Sequence, residues 1–431
     1  MTFRASRRTP AKKPRNKLLA AAAAAALAPL PAAHAQLGVY GRIANHIERD
    51  ETAADNPFTT AADAGADTVD INGLGGRFGM TFDSDVFGGP LGDMRAHARY
   101  EFAAETDKEG TGVKDTRVAI AGVSGGFGRI DVGNQWSAYF NTFGTLVSPT
   151  YTLGYHLYSS VGNGVFRSSN TLKYSNSMGP VSAEFDIRLN DSNETAATAE
   201  KIRGEGYGLG ISVALGRGMT LGLAVDSEEG VAGENAGSVG AFTADTVAGD
   251  GILGSFAEYD AGDHTRGADR AGIALQTNFD GGYWLSVGWQ NYRSSELPGI
   301  SAAGFDGNDN AAADAPAGNI TLHRRGQDID SVFVYGGGNL FSEKTTWLLG
   351  YAQADDIPDR DQVGIQYTGA DGEEKIGVLK TAVTEDSEQF VWGVYREIGA
   401  GLNLYYEGTV VYSDAKMWDG VRHLGGVRVR F

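Results

Sequence analysis

The residues best able to do chemistry in this 431-residue chain are cationic, and they fall at alternating positions. Arg42, Arg77, Arg95, Arg99, Arg117, Arg129 and Lys173 each sit in a short stretch where apolar and polar residues take turns. A guanidinium offers five N–H donors in a fixed fork, so arginines repeated on one surface can bind or steer anions. Residues for covalent chemistry are scarce. There is no cysteine, which excludes thiolate nucleophiles, disulfides and Cys-ligated metals. The seven histidines are His34, His46, His97, His156, His264, His323 and His423, and none lies in a Gly-x-Ser-x-Gly or His-Glu-x-x-His frame. Gly73-Leu74-Gly75-Gly76 lacks the Lys-Ser/Thr and the strand–helix setting of a phosphate loop.

The elements that must position these cations show a period of two. Val39, Gly41, Ile43 and Ile47 alternate with Tyr40, Arg42, Ala44 and His46. Met94, Ala96, Ala98 and Tyr100 alternate with Arg95, His97 and Arg99. Val181, Phe185 and Ile187 alternate with Ser182, Asp186 and Arg188. The pattern predicts sixteen strands, at about 37–48, 76–87, 91–106, 114–124, 127–135, 169–177, 180–190, 205–216, 218–228, 269–280, 282–294, 328–339, 344–355, 387–398, 401–413 and 421–431. Tight, glycine-rich turns alternate with long polar segments near 49–75, 107–113, 136–168, 191–204, 229–268, 295–327, 356–386 and 414–420. Long loops all at one end, with both termini at the other, suit an even-stranded closed barrel. The second face carries Glu101, Asp131, Glu184 and Asp186 beside the cations, too many charges for a dry core. The expected fold is therefore an all-β, sixteen-stranded antiparallel transmembrane barrel, apolar towards lipid and wet inside.

The N-terminus fits export. Seven bases (Arg4, Arg7, Arg8, Lys12, Lys13, Arg15 and Lys17) precede an apolar run over 18–30, then Ala33-His34-Ala35. That order is the logic of a secretory signal peptide, here 1–35, with the barrel over 36–431. The leader takes seven of the 36 bases and none of the 54 acids, so the remainder is more acidic than the whole chain's net −18. So acidic a chain is not expected to bind nucleic acid. Asp355, Asp356, Asp359, Asp361, Asp371, Glu373 and Glu374 crowd the later loops. They could hold Ca²⁺ by oxygen ligation, although no EF-hand spacing is present and solvated acidic loops are the plainer expectation. No cofactor is otherwise expected.

Several segments resemble the trimeric general-porin family of Gram-negative bacteria, most closely the neisserial and burkholderial type. They are Val39-Tyr40-Gly41-Arg42-Ile43, Gly76-Arg77-Phe78-Gly79-Met80, Asp115 to Val123, Gly125 to Gln135 with the turn Gly125-Gly126-Phe127-Gly128, and Ser169 to Tyr174. The last strand ends Val427, Val429, Phe431 at alternate positions, which resembles that family's assembly signal. The resemblance implies an outer-membrane channel for passive diffusion of small hydrophilic solutes, with short periplasmic turns and long external loops. It also implies a homotrimer, contact with lipid and lipopolysaccharide, and the barrel-assembly machinery as partner.

The family's loop after the fifth strand folds inward and narrows the pore, usually with acids facing a basic wall. Here that loop runs from Trp136 to Arg167 and holds no Asp or Glu. It carries Trp136, Tyr139, Phe143, Tyr151, Tyr155 and His156 before Arg167. Two readings stand side by side. In one the aromatics face the pore and favour anionic or aromatic solutes. In the other they only anchor the loop to the wall. The basic residues likewise read as a pore-lining ladder or as partners of Glu101, Asp131 and Glu184. A barrel hydrolase and a solute-selective channel are the alternative functions.

Overall fold

The computed structural model describes residues 36–52, 67–73, 76–89, 92–104, 113–148, 150–151, 153, 165–189, 205–229, 242–247, 251–256, 267–294, 300–302, 320–324, 328–356, 363–368, 374–379, 387–399, 401–413 and 420–431. The leader, Tyr155, His156, Asp359, Asp361, Asp371 and Glu373 lie outside them.

Sixteen strands make one closed antiparallel sheet. They are β1 Gln36–Thr52, β2 Gly76–Gly89, β3 Gly92–Ala104, β4 Val113–Gly125, β5 Gly128–Trp136, β6 Arg167–Met178, β7 Val181–Arg188 and β8 Gly206–Gly216, then β9 Met219–Glu228, β10 Ala268–Phe279, β11 Tyr283–Ser294, β12 Asp328–Leu340, β13 Ser342–Asp356, β14 Ser387–Gly399, β15 Leu402–Ser413 and β16 Gly420–Arg430. Every strand pairs with its chain neighbours, and β16 returns to pair with β1, Arg42 opposite Arg430. Closure leaves no edge whose amides would go unpaired in lipid. The seal is tight at the C-terminus. The Phe431 ring lies over Gly41, where a Cβ would collide with it, and the two residues exchange backbone hydrogen bonds of 2.9 and 3.1 Å.

The outer face follows from the alternation. Val39, Ile43, Phe78, Met80, Phe185, Ile187, Val287, Trp289, Leu404, Val427 and Val429 all stand exposed on it. At the short-turn end the connections are one to three residues long. Gly281 and Gly282 both take positive φ (+85° and +81°), the conformation a tight hairpin needs and only glycine adopts without strain.

Two features differ from the sequence expectation. The long connections contain strands of their own. Asp67–Asn72 pairs with the outer half of β1. Phe242–Val247 pairs with Gly251–Phe256, and Ile300–Ala302, Ile320–Arg324, Val363–Thr368 and Glu374–Leu379 form a separate four-stranded sheet. These runs are short, and the polar residues around them dilute their alternation. Second, the inward face is charged on only part of the circumference. Phe333, Tyr335, Leu348, Ala352, Val391, Tyr395, Tyr405 and Leu424 face inward from β12 to β16, and all are buried. They pack with Tyr139, Phe143, Leu146, Val147 and Leu153 of the loop after β5. The barrel thus holds an apolar core in its lumen, built from half the wall and one loop.

Candidate functional site

The site is the lumen, and it is assembled from two unlike surfaces. On β1 to β4 three arginines converge on one carboxylate. Glu101 is wholly buried, and its oxygens take Arg99 Nη2 at 2.6 Å, Arg117 Nε at 3.0 Å and the Arg77 guanidinium at 3.8 Å. Tyr40 donates its hydroxyl to Glu101 Oε2 at 2.7 Å and accepts from Arg99 Nε at 2.6 Å. Arg77, Arg99 and Arg117 keep 20–35% of their side-chain surface open, so the group presents more positive than negative charge to the lumen. Arg117 reaches this cluster through a bulge. Glu101 lies opposite Val118, and Phe102 opposite Thr116, so Arg117 is the extra residue. Bulges re-aim side chains in this way.

Farther round, Arg129 Nε donates to Asp131 Oδ2 at 2.6 Å, and His97 Nε2 lies 2.6 Å from Asp131 Oδ1. Lys173 pairs with Glu184 at 3.4 Å and donates to the Trp136 carbonyl. Arg95 stands apart from the cluster, exposed beside Asp85 near the short turn of β3. Every ladder cation with a described ion pair therefore has a carboxylate beside it, and Glu101 serves three.

The second surface is the loop. Phe140–Gly144 forms a π-helical turn and Thr145–Val147 continues it as one α-turn. This rod leans on a row of inward glycines, one on each of four successive strands. A Cβ at Gly210 or Gly222 would strike Thr142, one at Gly272 would strike Tyr139 and Phe143, and one at Gly288 would strike Val147. Tyr139 and Phe143 are fully buried against the wall, and Phe143 meets Phe333 edge-on at 6.0 Å. Trp136 stacks on Phe140 at 4.7 Å, and Arg167 lies over Trp136. Tyr151 packs on Tyr395 and Tyr405. The described aromatics are thus packed against wall and loop. Thr145 is exposed and Asn141 half-buried, so small polar groups form the visible face of the rod.

The loop has no acids of its own, but wall acids hold its backbone. Asp186 Oδ2 accepts from Ala138 N at 2.6 Å, and Glu184 accepts from the Asn141 side chain at 2.8 Å. Glu407, wholly buried on β15, accepts from Tyr151 N at 2.6 Å, Leu153 N at 2.9 Å and the Tyr395 hydroxyl at 2.8 Å. Glu407 and the glycine row escape a reading based on charged ladders. The available signal was a glycine at the inward parity of four successive strands.

A closed sixteen-stranded sheet, apolar outside and charged inside, with a loop pinned across its lumen, is the architecture of a membrane channel. A family model described as Gram-negative porin matches residues 20–416. The chain belongs to the Gram-negative porin family. Solved structures agree in fold at low identity. The anion-selective porin from Comamonas acidovorans is 15% identical with a TM-score of 0.59, covering 92% of this chain and 100% of that one. The outer-membrane channel DcaP of Acinetobacter baumannii is 14% identical with a TM-score of 0.54, covering 92% and 97%. OmpF of Salmonella typhi, solved in complex with daunomycin, is 12% identical with a TM-score of 0.54, covering 92% and 97%. Comparison with curated protein sequences finds no match. The porin is a bacterial outer-membrane channel for passive diffusion of small hydrophilic solutes.

Proposed function

We propose that the pore prefers anions weakly at moderate salt, and that Arg77, Arg99 and Arg117 set the preference. The observation that carries this is three partly open arginines sharing one buried carboxylate, opposite a loop that supplies no acid. Basic residues beside a permeating ion act at short range, while charges at the pore mouth are screened beyond about 8 Å at physiological salt. The test is the reversal potential of the purified protein in a planar bilayer under a potassium chloride gradient. Anion preference that falls when all three arginines become serine is the expected result. Strong cation preference, unmoved by that triple substitution, overturns it.

The remaining roles follow from the family. The porin works as a homotrimer in lipid and lipopolysaccharide, has no enzymatic step and needs no cofactor. Val427, Val429 and Phe431 serve the barrel-assembly machinery, a role supported by their outward exposure and by the seal of Phe431 on Gly41. Residues 1–35 direct export. A calcium site would need the acidic external loops, most of whose carboxylates lie outside the described residues.

A further inference from the structure

The loop after β5 meets the wall at two places. Its first turn leans on the glycine row, and its far arm ends in a socket built by the last three strands. Tyr151 sets its ring in that socket. Tyr395 on β14 lies 4.4 Å away and Tyr405 on β15 meets it edge-on at 5.5 Å, ring centre to ring centre. Arg428 on β16 lays its guanidinium over the same ring. Strand register brings the three together. Tyr395 is the partner of Tyr405, and Tyr405 is the partner of Gly426. A Cβ at Gly426 would strike His46 and the Tyr405 ring, so glycine leaves room for that ring two residues from Arg428.

Arg428 does not behave as a pore-lining cation. Arg77, Arg99 and Arg117 keep 20–35% of their side-chain surface open and share Glu101. Arg428 is 2% exposed, and its Nε and Nη2 are buried with no hydrogen-bond partner among the described residues. Burying a charge costs free energy unless something compensates it. What covers this charge is an aromatic face, which attracts a cation most strongly where water is excluded. The backbone of the arm is held separately. Glu407 accepts from Tyr151 N and Leu153 N, and Gln389 Nε2 donates to the Leu153 carbonyl at 3.1 Å. Those bonds fix the chain and leave the Tyr151 ring to the socket.

We propose that Arg428 is a positioning residue of the pore: it clamps Tyr151 by its ring, keeps the far arm of the loop in place and so sets the open width without touching the solute. β16 then works on both faces. Val427, Val429 and Phe431 face outward, and Arg428 locks the loop from within. The clamp is independent of the ion preference proposed above, because its cation is covered by the ring it holds.

The test is single-channel recording of the full porin, arranged as a double-mutant cycle between Arg428 and Tyr151. Arg428→Met keeps an apolar stem and removes the cation, and Tyr151→Leu removes the ring. Each alone should raise the fraction of time spent away from the main conductance level about tenfold, the factor that a desolvated cation–ring contact carries. The two together should do little more than Tyr151→Leu alone, because the contact is already lost. Arg428→Lys keeps a cation and Tyr151→Phe keeps the ring, and each should lose much less than its partner variant. Arg430→Met is the control for charge. It removes the same charge from the same face of β16, but Arg430 is exposed, so the main level should stay steady. Additive effects of Arg428→Met and Tyr151→Leu, or equal effects of Arg428→Met and Arg430→Met, make Arg428 one more wall charge and overturn the clamp. Where Arg428→Met fails to reach the membrane, the loop variants carry the test, and a steady main level in Tyr151→Leu overturns it.

Discussion

The inner wall of this barrel has two halves that obey the same strand geometry and reach opposite solutions. From β16 through β7 the inward positions carry Arg428, Arg42, Arg77, Arg99, Glu101, Asp131, Lys173 and Asp186. From β8 through β15 they carry Gly210, Gly222, Gly272 and Gly288, then Phe333, Tyr335, Leu348 and Val391. The outer face is apolar all the way round. The difference shows that an inward position in a wide barrel is set by what covers it. Where water fills the lumen, charges are stable and pair with one another. Where the loop lies on the wall, the wall is small or apolar, or carries a buried polar group such as Glu407 whose partners the loop supplies, because buried polar groups without partners cost free energy. The exception marks the boundary. At the outer ends of β7, β9 and β10, Arg188 and Arg270 share Asp226 and Glu228 in a buried group beside the loop's first turn.

The comparison breaks most directly at Glu407, the carboxylate that holds the loop's far arm. Glu407→Ala leaves two backbone amides and the Tyr395 hydroxyl buried without their acceptor, about 1–3 kcal/mol each. The expected outcome is a noisier channel with altered conductance and a lower heat-modification temperature in detergent gels. Glu407→Gln keeps an acceptor and should recover part of both. A variant with wild-type conductance and noise would detach the loop's position from Glu407.

The glycine row tests the same half more gently. A leucine at Gly272 starts with its Cβ 2.7 Å from the Tyr139 hydroxyl and 2.8 Å from the Phe143 ring. Overpacking of this kind costs about 1–3 kcal/mol, and the loop is the part free to yield. Gly272→Leu should therefore change pore size. Ala271→Leu, one residue away but facing outward, should leave it alone. Conductance of the two variants settles the matter, and equal effects would mean that the loop does not depend on the wall behind it.

These halves also explain what the sequence revealed. All sixteen strands were legible, most to within two residues, because one face of every strand meets lipid and its apolar alternation is uninterrupted. On the charged half, the pairing of cations with Glu101, Asp131 and Glu184, one of the two readings the parity allowed, is present. The apolar half was not legible. When Leu348 and Val391 face inward beside outward Leu349 and Phe390, both faces are apolar and alternation no longer tells the lumen side from the lipid side. Arg117 was legible as an inward cation, but the bulge that turns it inward was not. Arg428 and Arg430 interleave with Val427, Val429 and Phe431, and the apolar alternation of that strand marks only the face opposite to them.

The smallest effect, and the one that sharpens the charged half, comes from Glu101→Gln. Glutamine keeps an oxygen for the Tyr40 hydroxyl and about the same volume, so the strand pairing should survive. It removes the one negative charge shared by three arginines and so raises the local positive charge. Because those guanidinium groups are partly open to water, screening limits the gain, and the ion pairs are worth less than their short distances suggest. The expected outcome is a modest move of the reversal potential towards anions, opposite in sign to that of Arg99→Ser or Arg117→Ser. Lowering the salt lengthens the screening distance and should enlarge both shifts, while bringing the acidic external loops into play as a cation-attracting mouth. If Glu101→Gln and Arg117→Ser moved the reversal potential in the same direction, they would be altering the shape of the pore, not its field.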